Sequence, residues 1–195
     1  MNSKWEDAVS PVIGVMLMIT VTIIVAAVVA AFVGGASTQF EKTPQASMRV
    51  YCDWSEDDLS DFNIIFEHLS GDPLRTQDLR IVTWIKDGDK VIKNETSGRS
   101  PLDGVDVRVP YVYDAQSGVL PKYGFGEATW KRGTRAGTDN IAATAFFLGI
   151  RDKDYPKLPK DVLKDFIDDN TPVEVTIVHT PSGNTILRSE FILGR

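Results

Sequence analysis

Between Ala8 and Phe40 the chain carries no Asp, Glu, Lys, Arg or His, and that stretch constrains the fold more than any other feature. Within it, Pro11 to Val33 holds 13 Val, Ile, Leu or Phe residues together with Met16 and Met18, interrupted by Gly14, Thr20 and Thr22. Twenty-three residues at a helical rise of about 1.5 Å each reach roughly 34 Å, enough to cross a hydrocarbon core of about 30 Å. At about −0.3 to −0.6 kcal/mol per large apolar residue near mid-membrane, the 13 favour insertion by roughly 4–8 kcal/mol. Ser10 is placed to cap this helix, Pro11 suits its first position, and Gly34-Gly35 permits the left-handed residue that closes it. Gly, Ala, Ser, Thr and Gln through Gln39 read as a short hinge.

A cleaved secretory signal is the poorer reading, because its apolar core runs about 7–15 residues after a positive start. Here Lys4 and the terminal amine stand against Glu6 and Asp7, too even a balance to orient the helix. An ordinary signal anchor is the plain alternative. The whole chain has 21 Lys+Arg against 27 Asp+Glu, a net charge of −6. Without Lys4, Glu6 and Asp7 the counts are 20 and 25, so the acidity belongs to the C-terminal part. Nothing there supplies the clustered cations that nucleic-acid binding needs. A single cysteine, Cys52, excludes an internal disulfide and cysteine-rich zinc sites, and is read as a small packed apolar residue.

From Met48 onward the period changes from helix to strand. Val105, Val107 and Val109 alternate with Asp106 and Arg108 and continue to Tyr111 and Tyr113; Leu79, Ile81, Thr83 and Ile85 share one face; Val173, Val175 and Ile177 alternate with Glu174 and Thr176. Asp87-Gly88-Asp89 is a turn from the Leu79 strand to Val91-Ile92, and Pro181-Ser182-Gly183-Asn184 joins Val173–Thr180 to Thr185–Leu193 in a terminal hairpin. Met48–Trp54, Asn63–His68 and Glu127–Lys131 are further strands. Lys160–Asp169 carries Val162, Leu163, Phe166 and Ile167 at helical spacing, one short amphipathic helix, while Ala142–Ile150 fits strand or helix. The fold class expected is α+β: a long apolar N-terminal helix, then an antiparallel β-sandwich head of immunoglobulin-like form with one short helix. About 150 residues bury a sufficient core without staples.

No catalytic constellation emerges, so the chain is read as no enzyme and without cofactor or metal. His68 and His179 are the only histidines; a site shared with Asp72 would need their strands to be neighbours. Gly124-Phe125-Gly126 lacks the Lys-Ser/Thr pair of a phosphate loop. The acidic runs Ser55–Asp58 and Asp152–Asp154 match no EF-hand and read as solvated loops. Asn94-Glu95-Thr96 is an N-glycosylation acceptor pattern, placed after a strand in a polar loop.

The junction Glu6-Asp7-Ala8-Val9-Ser10-Pro11-Val12-Ile13-Gly14 resembles the N-terminus of archaeal type IV pilins, in which a short polar leader precedes an SPVIG-like start to a long apolar helix. The resemblance is specific over about residues 6–35. It implies a prepilin peptidase that reads Asp7 as the charged position and Ala8 as the last leader residue, with Val9 the new N-terminus and Ser10, Pro11, Val12, Ile13 and Gly14 the helix start. Ile13 holds the fifth mature position, where bacterial pilins usually carry glutamate, and the Gly-Ile-Gly start of archaellins is absent, which points to an adhesion-type or general surface pilin. Phe66 to Leu74 with Asp78-Leu79 looks like the strand-and-turn segment of archaeal pilin-like domains; by itself it reads as a Gly-Asp-Pro turn with Asp72 bonded to nearby amides.

The organisation so implied is a leader over 1–8, a transmembrane and filament-core helix over 9–35, a hinge over 36–47 and an extracellular head over 48–195. Gly14, Ala26, Ala27, Ala30 and Ala31 would let helices approach closely. The implied partners are further copies of the chain, the peptidase, a pilus assembly membrane protein and its ATPase, and the bilayer before assembly. The precursor would be a single-pass membrane protein and the product a surface filament acting in adhesion or cell contact. The alternative is a monomeric anchored surface protein whose sandwich binds a ligand.

Overall fold

The computed structural model describes residues 6–35, 42–55, 58–88, 90–99, 109–112 and 124–194. The chain divides into two compact units, Met1–Glu41 and Lys42–Arg195. The first contains helix α1 (Glu6–Gly35). Among the described residues the second contains ten strands: β1 (Ala46–Ser55), β2 (Asp58–Gly71), β3 (Leu74–Arg75), β4 (Leu79–Asp87), β5 (Lys90–Ser97), β6 (Tyr111–Val112), β7 (Thr129–Trp130), β8 (Arg135–Gly137), β9 (Pro172–His179) and β10 (Asn184–Ile192). Helices α2 (Ile141–Phe147) and α3 (Pro159–Asp168) lie between β8 and β9.

One four-stranded sheet has the order β1-β2-β8-β6, the other β10-β9-β4-β5, and β3 pairs with β7. Every pairing is antiparallel. With the small β3–β7 pair set aside, these orders are A-B-E-D and G-F-C-C′, the immunoglobulin arrangement with one added strand. The expected faces are the ones used. Leu79, Ile81, Thr83 and Ile85 on β4, and Val173, Val175 and Ile177 on β9, are buried, and all of these but Thr83 share one hydrophobic core with Val50, Ile64, Phe66 and Ala136 of the other sheet. Both expected hairpins form, with Gly88 and Gly183 at φ of 57° and 70° in their turns.

Three elements differ from the sequence reading. The run left open between strand and helix from Ala142 to Ile150 is helical as far as Phe147, so the described part of the head has two short α-helices. Asn140 accepts a hydrogen bond from the Ala143 amide at 2.9 Å as its N-cap. At its other end the Gly149 amide donates to Phe146 O and the Ile150 amide to Ala145 O, with Gly149 left-handed, a Schellman ending. α3 ends the same way with Asn170 in glycine's place, at φ 53°. The strand read over Glu127–Lys131 is only two residues long, and it delivers Trp130 to the core, stacked at 5.8 Å on Phe66. Of the strand read from Val105 to Tyr113, β6 supplies Tyr111–Val112; residues 105–108 and 113 lie outside the described residues.

Candidate functional site

α1 is apolar around its whole circumference. Every residue from Val12 to Ala31 is exposed, and thirteen large apolar side chains along it stand between 50% and 71% exposed, Val28 and Met18 marking the limits. Burying what remains of them is worth roughly 10–25 kcal/mol, as much as the about 5–15 kcal/mol that holds an entire domain folded. Such a helix does not stay in water. Val12–Ala31 has a mean hydropathy of 2.9 over 20 residues, and at about 1.5 Å per residue it matches a hydrocarbon thickness of about 30 Å.

Its polar groups are silenced locally. The Thr20 hydroxyl donates to Met16 O and that of Thr22 to Ile19 O, each at 2.8 Å, so neither asks lipid or a packed neighbour for a partner. Thr22, Ala26 and Ala30 stand one turn apart beside Val21, Val25 and Val29, and together they form a shallow apolar groove. A floor of small residues flanked by a ridge of stiff β-branched ones accepts the ridge of another helix.

At the junction the described helix already includes Glu6 to Ser10, so Ser10 and Pro11 are not its N-cap and first residue as expected. Glu6 and Asp7 suit the N-terminal part of a helix, where acidic side chains meet the positive end of its dipole. Asp7, Ala8 and Val9 thus lie in helical backbone, five of whose residues precede Pro11. Proline inside a helix loses a bond to the carbonyl four residues back and clashes with it, at a cost of about 3 kcal/mol. That carbonyl belongs to Asp7. Residues 1–5, most of the expected leader, and 36–41, half of the expected hinge, lie outside the described residues.

The other candidate residues are used by the fold. Asn94 lies within β5 rather than in a loop, because the Asn94-Glu95-Thr96 stretch pairs with Ile81–Thr83 of β4. Its Nδ2 donates to Phe147 O at 2.7 Å, and the Thr96 hydroxyl is buried without a partner among the described residues. His68 and His179 fall on different sheets. Nε2 of His68 donates to Asp72 O at 3.0 Å, while Nδ1 of His179 meets Ser182 Oγ at 2.8 Å. Asp72 performs its expected turn role: its carboxylate accepts from the Gln45 amide at 3.0 Å and its own amide donates to Gln45 O at 2.8 Å. Gly71 before it, at φ 104°, leaves 2.2 Å between the place of a Cβ and Gln45 O. Phe125 packs on Trp130 at 5.9 Å, and the Gly126 amide donates to Thr76 Oγ1, which makes Gly124–Gly126 a core-bound turn. Among the described residues no group of three His, Cys, Asp or Glu is placed to hold a metal ion.

The sequence reading singled out nothing on the outer face of β1, β2 and β8. There Asp53, Asp61, Asn63, Arg135 and Asp139 line a depression of about 400 Å³. These residues are more than 80 positions apart at the extremes and meet only through strand pairing, so no local pattern announces them.

Comparison with known proteins bears on α1. The family model described as archaeal type IV pilin, N-terminal, matches residues 7–48, from Asp7 of the junction to the start of β1. An uncharacterized protein of Archaeoglobus fulgidus is 37% identical over 78 residues, 40% of this chain. The matched segment spans about half of that relative, 52% of its length. A helix apolar on every side, with its threonines bonded back to their own backbone, is thus the part of the chain that resembles the N-terminal segment of archaeal type IV pilins, over residues 7–48.

Proposed function

We propose that the chain is a structural subunit of an archaeal type IV pilus or pilus-like surface filament, in which α1 packs against its copies as the core and the β head forms the surface, acting in adhesion or cell contact. The observation that carries this reading is the apolar surface of α1, which lipid or other copies of the helix would cover. Lipid covers it while the subunit waits as a single-pass membrane precursor. Helix covers it after assembly, by a membrane assembly protein and its ATPase, and apolar area stays out of water in both places.

A prepilin peptidase cuts between Ala8 and Val9 in this account. Removing Met1–Ala8 takes away the part of the helix that Pro11 destabilises and leaves Pro11 third from the new terminus, where its missing donor costs nothing. An Ala8→Trp substitution should block cutting while membrane insertion persists, because Val12–Ala31 is unchanged. Continued normal cutting of that variant would place the site elsewhere. The depression beside Arg135 favours the second reading, an anchored monomer whose sandwich holds a ligand. Electron microscopy of sheared cell surfaces separates the two, since only the first yields fibres containing this chain.

A further inference from the structure

The sandwich leaves one long edge without the lysines that guard its opposite edge. Among the described residues β10 hydrogen-bonds to β9 on one side only, with part of β1 lying close to it. Asn184, whose Nδ2 donates to Thr43 Oγ1 at 2.7 Å, closes its first residue, and a register shift between Thr185 and Leu187 puts a bulge at Ile186. The following residues present a regular ladder. Edge strands normally carry lysine, proline or inward charge that deters pairing. β5, the opposite edge of this sheet, has Lys90 and Lys93. β10 has no lysine and no proline.

Its sequence, Ile186-Leu187-Arg188-Ser189-Glu190-Phe191-Ile192, reads alike in both directions by chemical type. Laid antiparallel against itself about Ser189, it sets Arg188 opposite Glu190, Leu187 opposite Phe191 and Ile186 opposite Ile192. The faces agree. Leu187, Ser189 and Phe191 pair with the buried Ile177, Val175 and Val173 of β9 and so point inward, where Leu187 and Phe191 are only partly covered at the rim of the core. Arg188 and Glu190 are exposed on the outer face, and Ile192 is 37% exposed. A second β10 would therefore cover two half-buried apolar side chains on one face and form two opposite-charge pairs on the other. Directly opposed pairs of these kinds are what stabilise sheets.

We propose that β10 is a homotypic docking edge that pairs antiparallel with β10 of a second copy about a two-fold axis at Ser189. A two-fold contact uses the same patch on both copies and closes at two, so it cannot propagate a polar filament. Where the filament reading holds, on which this last step rests, the contact links one filament to another. A strand pair of about six residues is weak alone and gains strength from the many copies along each fibre.

The test uses the full chain in detergent micelles and needs no filament. Opposed Cα atoms of an antiparallel pair lie about 4.5–5.5 Å apart, within the range a disulfide spans, so the Ser189→Cys chain should form dimers under mild oxidation. The same chain without that substitution serves as the control for Cys52. In the Ser189→Cys background, Arg188→Glu or Glu190→Arg should each lower dimer yield about tenfold, because both cross-strand pairs become like-charged. A mixture of the two variants should restore it, since every 188–190 pair is then opposite in sign, and so should the double swap. The mixture also controls for loss of the 2.9 Å Arg188–Glu174 ion pair, a fold effect that mixing cannot repair. No dimers from the Ser189→Cys chain, or a mixture no better than its components, overturns the proposal. Dimers here with no fibres on cells would strike the filament reading alone.

Discussion

Replacing Thr22 with Asp should separate membrane residence from filament assembly. Thr22 lies near the middle of Val12–Ala31, on the floor of the apolar groove, with its hydroxyl already bonded to Ile19 O. Eleven Val, Ile and Leu residues in that span favour insertion by about 3–7 kcal/mol, and an aspartate near the centre opposes it by about 2.5–3.5 kcal/mol. The balance stays at about 0–4 kcal/mol in favour, so the variant should remain with the membrane. In a bundle of helices the same carboxylate faces protein in every copy. No cation exists between Ala8 and Phe40 to pair with it, and an unpaired buried charge costs about 3–5 kcal/mol per subunit. Flotation of membranes against recovery of sheared fibres reads the two outcomes, with Thr22→Val expected to keep both. Wild-type fibre yield from Thr22→Asp would refute a protein-lined environment for this face of α1. Loss of the variant from membranes would refute the transfer argument itself.

In the head, Gly71→Ala should destabilise folding by more than about 2 kcal/mol, since a left-handed residue gains a Cβ that collides with the Gln45 backbone; thermal unfolding measures it. Asn94→Ala should cost about 1–3 kcal/mol by orphaning the Phe147 carbonyl, and intact mass should show Asn94 without glycan, because its amide is bonded and the Thr96 hydroxyl buried. Burial pushes the Cys52 thiol from 9.0 up to about 12. The unfolded chain then loses its proton first, so stability should fall as pH rises from 9.0 toward about 12, by up to about 1.4 kcal/mol per pH unit. Cys52→Ala should remove that slope in alkaline denaturation.

The parts of the fold legible from sequence are those written in local periodicity. The β4 and β9 alternations each place one face in the core, and the Gly88 and Gly183 turns fix hairpins that need no distant information. α3 announced itself by four apolar residues at helical spacing. α2 did not, because Ile141–Ile150 is apolar nearly throughout and a buried helix then resembles a buried strand; Asn140 before it and Gly149 after it are the signals that decide between the two. Asn94 was misplaced for a related reason. Its polar neighbours suggest a loop, whereas β5 is an edge strand whose polarity reflects solvent on one side. Ser10-Pro11 is a strong local start signal, yet the described helix already includes Glu6 to Ser10, whose acidic residues suit its N-terminal part. The depression at Arg135 and the opposition of β10 to its own copy arise from long-range pairing and from symmetry, neither of which a linear pattern of hydropathy encodes.

The account depends on α1 surviving maturation while Met1–Ala8 does not. Intact-mass and N-terminal analysis of the chain in sheared surface fibres measures this directly. A chain that begins at Val9 and retains Pro11–Val33 is the expected result. A chain found only in membranes with Met1–Ala8 attached, or fibres whose subunit lacks the apolar helix, contradicts it.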